Sequence, residues 1–234
     1  MNGHGKTGKL FFTPLLAGVL SLAPAPAKAQ NVVLDEGTFT VFLEGRQAGT
    51  ETFSIRRMGS GEDAKILANA VVELDTRQMR PLLEATPEFG LTAYEVKISG
   101  DESVEVAVRN TGRRFVARVR SAEGEQEREF RAREGAVLLE DRVAHQYWFV
   151  VSLANEVGDS APVVVPRGSD QGRLEVLAVA DEVVRVGGQA IEGRRLRLAV
   201  DGAERTVWID REGRILRVDI PSMGYRAERL QPPA

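Results

Sequence analysis

The chain has 234 residues, 43% of them hydrophobic and 28% charged, with a formal net charge of −3, two histidines and no cysteine. A length of this order supports one core of ordinary size without staples, and the lack of cysteine excludes disulfides, a lipid anchor on an N-terminal cysteine, and thiol chemistry. Mild acidity with interspersed charges argues against nucleic acid as a partner and against broad adhesion to anionic lipid.

Residues 1–29 read as a cleaved secretory signal peptide. Lys6 and Lys9 precede an apolar run from Leu10 to Leu20, and small residues and prolines lead to Ala27-Lys28-Ala29, a small-x-small cleavage site. The run is broken by Thr13, Pro14, Ser21, Pro24 and Pro26, which suits a leader better than a spanning anchor. The expectation is therefore an exported protein, periplasmic or extracellular, with no integral membrane span after cleavage and a single antiparallel β domain over residues 30–234. Removal of Lys6, Lys9 and Lys28, with no acid in the segment, takes the formal charge to −6.

Strand alternation begins at once. Phe39, Val41 and Leu43 alternate with Thr38, Thr40 and Phe42, and a second alternation runs from Thr50 to Arg57. The Gly45–Gly49 stretch between them predicts a hairpin with a five-residue connection. A third strand follows over residues 65–76. Pro81 and Pro87 then forbid a central strand between Arg77 and Gly90, leaving an edge, a bulge or a loop whose Leu82 and Leu83 cover an end of the core. Strand character returns over 91–98, 104–108 and 115–119. The charge-dense 121–133 stretch reads as a solvated hairpin tip or an exposed strand face.

Asp141 to Glu156 breaks the period of two. Val143, Tyr147, Val150 and Ala154 fall at helical spacing, with Asp141 placed as N-cap. The aromatic and β-branched run from Tyr147 to Val151 also suits a strand, but length and capping favour a helix. Trp148, Phe149 and Leu153 lie off the main apolar face, so this helix is apolar nearly all round. Such a helix is buried, or it lines something apolar. From Gln171 to Leu230 the chain reads as a β-meander, with turns at Gly187-Gly188, Asp201-Gly202 and Glu212-Gly213.

The inventory bounds the chemistry. After the leader the only histidine is His145, read as a partly exposed helix residue, and no Gly-x-Ser-x-Gly elbow occurs. No catalytic residue is nominated; a carboxylate pair acting on a glycan stays open, but nothing selects the pair. No metal is expected, because transition metals want several His or Cys ligands and calcium-loop spacing is absent. No cofactor is expected either, since no glycine-rich phosphate loop follows a strand.

What remains is an apolar concavity. The predicted fold is mainly β: a curved antiparallel sheet, or half-barrel meander, with one main helix packed on its concave side. Tyr147, Trp148, Phe149 and Leu153 are the candidate hydrophobic ligand-binding residues, for an acyl chain, lipid or other hydrophobic guest, with core filling as the competing role.

Three stretches carry a family resemblance: residues 43–50, Leu138-Leu139-Glu140-Asp141, and residues 207–217 with Val-Trp-Ile-Asp-x-x-Gly. The chain resembles exported bacterial β-proteins of unknown function that are themselves distantly similar to the lipoprotein-localisation carriers. The resemblance implies a half-barrel around a helix and transfers no catalytic residue. The function expected is non-enzymatic binding of a hydrophobic or amphipathic ligand in the envelope. The alternative is an envelope interaction protein that meets a protein partner through a sheet edge or its charged outer face.

Overall fold

Fifteen strands join into one continuous sheet in the computed structural model, which describes residues 1–3, 31–168 and 171–234. The leader expected over residues 1–29 lies, apart from its first three residues, outside the described residues. The first eight strands form a meander: β1 (Asn31–Leu43), β2 (Arg46–Met58), β3 (Lys65–Leu74), β4 (Arg77–Ala85), β5 (Leu91–Gly100), β6 (Val104–Asn110), β7 (Arg114–Ser121) and β8 (Gly124–Arg131). Next come a two-residue strand β9 (Val137–Leu138), helix α1 (Tyr147–Leu153) and β10 (Ser160–Val164). A second meander follows, of β11 (Gly172–Val186), β12 (Gln189–Val200), β13 (Ala203–Asp210), β14 (Ile215–Ile220) and β15 (Tyr225–Arg229).

The two meanders are joined by β1 against β15, from Phe39↔Arg229 to Leu43↔Tyr225. The order across the sheet is β8-β7-β6-β5-β4-β3-β2-β1-β15-β14-β13-β12-β11-β10-β9. Neighbours are antiparallel except β9 and β10, which run parallel. The predicted curved antiparallel sheet with one helix on its concave side is the observed fold. No ladder closes it, because β8 and β9 both end the order. Side chains bridge that seam instead: Arg128 donates to the carbonyls of Arg167 and Gly168, and Gln171 Nε2 donates to the Arg131 carbonyl at 2.9 Å.

Alternation places the core. Ile66, Ala68, Ala70 and Val72 of β3 point inward, as do Val104, Val106 and Val108 of β6 and Leu196, Leu198 and Val200 of β12. These side chains pack with α1 and the segment before it into one cluster, and each large one contributes about 1.5–3 kcal/mol through burial. A smaller cluster of Val186, Trp208 and Leu216 forms separately from it.

Three expectations are corrected. The first hairpin turns on two residues rather than five: Glu44 and Gly45 adopt φ of 48° and 76°, the left-handed pair of a type I′ turn, and pairing resumes at Arg46. Gly49 is inside β2 because the chain passes so near β3 that a Cβ there would lie 1.8 Å from the Glu73 carbonyl oxygen. Residues 77–85 form an interior strand despite Pro81. On the β5 side pairing runs through Pro81↔Val96, while on the β3 side it breaks between Asn69↔Leu82 and Val72↔Met79, so the missing N–H falls in a gap of the ladder. Finally, the helix spans Tyr147–Leu153 rather than 141–156, and Gln146, not Asp141, is its N-cap. Arg142 stands at φ 63°, which no helix accommodates. Ala154 is extended at φ −143° and ends the helix.

Candidate functional site

Residues 139–154 lie inside the curved sheet as a plug, and a carboxylate from the wall fixes its backbone. Glu51 occupies the inward parity of β2 with Phe53 and Ile55, and it is fully buried. Its Oε2 accepts the Ala144 N–H at 2.7 Å, and its Oε1 accepts the His145 N–H at 2.8 Å and lies 2.7 Å from His145 Nδ1. One carboxylate thus satisfies the donors of an irregular turn that precedes a helix, where backbone partners run out. An acceptor so placed takes the hydrogen carried by Nδ1. His145 is buried, not partly exposed, and its ring stacks 6.0 Å from Phe53, which in turn stacks 5.0 Å from Phe39. Behind this stack, the buried Asp35 and Arg229 pair at 2.8 and 3.1 Å across the junction of the two meanders. Burial raises the Asp35 carboxyl above its ordinary range against the pull of Arg229.

At the mouth nearest the Arg142 turn, a cleft of about 420 Å³ is lined by Arg77, Glu102, Glu140, Asp141, Arg142 and Arg167 among others. Arg167 donates to Glu140 at 2.8–2.9 Å and also reaches Glu102, which Arg77 contacts at 3.0 Å. Glu140 is buried, and its backbone N–H is held by the Gln146 side chain at 2.6 Å. Desolvation pushes its carboxyl above the ordinary glutamate range in spite of Arg167. Tyr94, Tyr147 and Tyr225 are likewise raised by burial. This is a polar scaffold between the plug and the wall. With His145 and Glu51 both at 0% exposure, a substrate could reach that pair only if the plug left the wall.

The four predicted ligand-binding residues are brought onto one short helix, in different surroundings. Tyr147 is 2% exposed, and its hydroxyl accepts from Arg205 at 2.5 Å. Trp148 sits edge-on between Phe89 at 5.4 Å and Phe149 at 5.2 Å. Phe149 is 2% exposed. Leu153 alone is only partly buried, and it lines an open groove of about 820 Å³ at the other end of the curved sheet. Leu91, Phe115 and Ala136 supply apolar surface to that groove, and Glu88, Arg133 and Glu134 supply charge. The β4–β5 turn forms one side of it and holds Phe89 at φ 68°, a left-handed conformation that is rare for an aromatic residue. That turn is fixed by Phe89 N–H to the Thr86 carbonyl at 2.9 Å and Thr86 N–H to the Gly90 carbonyl at 2.8 Å.

Sequence reasoning did not select Glu51, Glu140 or Arg167. For Glu51 a signal existed: it is a carboxylate in phase with Phe53 and Ile55 on the buried face of a strand, a local conflict of the kind that marks a special site. Nothing comparable marks Glu140 or Arg167, whose surroundings are irregular. Among the described residues, no group of three or more His, Cys, Asp or Glu is arranged to hold a metal, and no helix is long and apolar enough to cross a membrane.

No protein-family model matches the sequence, and no curated protein does. Among solved structures, the chain is similar to a beta-barrel-like protein of the domain of unknown function DUF1849 from Brucella abortus. The two share 10% identity at a TM-score of 0.51, over 86% of this chain and 98% of that one. A DUF1089 family protein from Pseudomonas aeruginosa aligns at 11% identity and a TM-score of 0.39, over 90% of this chain and 98% of that one. The first likeness is one of fold. Neither neighbour is described as a lipoprotein carrier, so the distant likeness to that superfamily remains an expectation from the sequence.

Proposed function

We propose that this is an exported, non-catalytic binding protein of the bacterial envelope that takes an amphipathic ligand, an acyl chain carrying a polar head. The observation that supports it is the groove of about 820 Å³ at the Leu153 end of α1, apolar at Leu91, Phe115 and Leu153 and charged at Glu88, Arg133 and Glu134. Its size falls in the range of small-molecule sites. The acyl chain lies along Leu153, and the head group meets the charged rim. Displacing the Phe89 turn would lengthen the groove toward Trp148 and Phe149, which gives three of the four helix residues a place in the site and leaves Tyr147 anchored to Arg205.

The test is native mass spectrometry with solvent extraction on protein purified without detergent from its own envelope, paired with a fluorescence titration. Trp148 and Trp208 are the two tryptophans, so Trp208→Phe leaves Trp148 as the reporter at the groove. A co-purifying amphiphile, a Trp148 emission change with added lysophospholipid, and loss of both in Leu153→Arg with an unchanged circular dichroism spectrum are the expected results. An apo mass together with a silent Trp148 would overturn the reading.

A further inference from the structure

The longest unpaired main-chain edge of the second meander lies on β11. Strand β10 covers only Gly172 to Glu175 of it. The loop ahead of β10 adds Gly158 N–H to the Val176 carbonyl and Val176 N–H to the Asp159 carbonyl. From Leu177 to Val186, about 33 Å of strand at 3.3 Å per residue, no further ladder partner stands on that side among the described residues. Exposed edges in native proteins are commonly blunted by lysine, proline or a bulge. This stretch has no lysine and no proline, its one register shift comes at its start, and Leu177 and Val183 stand 41% and 60% exposed.

The hairpin fixes which groups point outward. Gly187 and Gly188 form a two-residue type I′ turn, with φ of 55° and 82°, so Val186↔Gln189 is the hydrogen-bonded pair that closes it. Pairs alternate from there. The N–H and C=O groups of Arg185, Val183 and Asp181 therefore face away from β12, toward the free edge. The side chains of these three residues share one face, and all three are exposed. Their neighbours are engaged, Glu182 with Arg195 and Arg194 with Glu156, whereas Asp181 and Arg185 make no ion pair among the described residues.

We propose that this edge pairs antiparallel with the same edge of a second copy of the chain, about a two-fold axis through Val183. In that register Val183 faces its own copy, and Asp181 of each chain faces Arg185 of the other. Two opposite-charge pairs then flank an apolar contact. Registers centred on Asp181 or on Arg185 would set like charges against each other, which is destabilising for directly opposed residues. The outward main-chain groups of all three residues are satisfied together. The contact is short for a permanent interface, so association is weak and concentration-dependent. The groove that carries the proposed ligand lies on other strands, so this inference stands or falls independently of it.

Sedimentation velocity over a concentration series tests it. The protein should pass from one chain to two, and Asp181→Arg and Arg185→Asp should each weaken the dimer by roughly tenfold or more. The double variant D181R/R185D should restore it, because the exchange recreates both pairs. Val183→Pro removes an N–H that faces away from β12, so it should abolish the dimer with an unchanged circular dichroism spectrum. A single-chain mass at every concentration, a dimer indifferent to V183P, or a double variant no better than the single ones would overturn the proposal.

Discussion

The wall and the plug of this molecule are held by different physics. In the wall, most strands carry apolar residues at every second position, and every ladder runs to an adjacent strand. The β2–β3 pairing, for example, runs unbroken from Gly49↔Leu74 to Met58↔Lys65. Its stability is spread over many similar contacts. The plug has seven residues of helix, Tyr147–Leu153, behind a turn with a left-handed arginine. Isolated helices of that length are unstable in water. What holds the plug is burial of its aromatics and a few long-range polar contacts, above all Glu51, which reaches across 93 and 94 positions of sequence to Ala144 and His145. Distributed contacts make the wall tolerant of change, and concentrated ones make the plug depend on single residues.

The largest expected effect therefore comes from one wall residue that serves the plug. Glu51→Ala leaves two buried N–H groups and the His145 ring without their acceptor, and breaking such a buried constellation costs about 3–5 kcal/mol. Ile55→Val, on the same face of the same strand, removes one methylene and should cost about 0.5–1.5 kcal/mol. Chemical denaturation monitored by circular dichroism measures both. Glu51→Ala should also diminish the near-ultraviolet signal of Trp148 while the far-ultraviolet β signal persists. Equal losses for the two variants would mean that plug and wall do not differ in this way.

The same division explains what could be read from the sequence. The meander from Gln171 to Leu230 was legible because a period of two with glycine turns has few other solutions, and the predicted turns at Gly187-Gly188 and Asp201-Gly202 are where the chain turns. Residues 77–85 read as an edge or a loop because a proline is judged alone in sequence, whereas the ladder absorbs Pro81 in a local gap between Asn69 and Val72. The sequence pattern reads as a longer helix because Asp141 and Val143 fit a helical period, whereas the helix begins at Tyr147. The donors that would have demanded that helix are satisfied instead by Glu51, which no local window contains. Tyr147, Trp148, Phe149 and Leu153 were legible as a group on one helix. That only Leu153 reaches an open groove depends on the β4–β5 turn and on Phe115, both distant in sequence.

A smaller effect depends on pH. Burial raises the Glu140 carboxyl above its ordinary value, so the folded protein holds that proton more tightly than the unfolded chain does. Stability from this group is fully present below the unfolded value of about 4.3. It is lost as pH rises through the higher folded value, with a slope of at most about 1.4 kcal/mol per pH unit for one proton. Asp35 titrates with the same sign, since burial raises it too. Glu140→Gln should flatten its share of the decline, measured as the denaturation midpoint across a pH series above that value. A decline unchanged by Glu140→Gln would remove Glu140 as a source.

The smallest effect belongs to the exposed hairpin of β7 and β8. Arg118 and Glu127 pair at 2.8 Å, yet both side chains are more than half exposed, at 64% and 51%. Water already solvates both charges, and holding two long side chains in one geometry offsets most of the attraction. Arg118→Ala should leave the denaturation midpoint where it is, at low and at high salt alike. The contrast with Glu51 is then complete within one sheet: a carboxylate whose partners are buried governs the plug, and one whose partner is in water governs nothing measurable. A clear salt-dependent loss in Arg118→Ala would show that β8, the edge strand beside the side-chain seam, draws part of its stability from charge. Arg128, which donates across that seam to Arg167 and Gly168, would then be the next residue to replace.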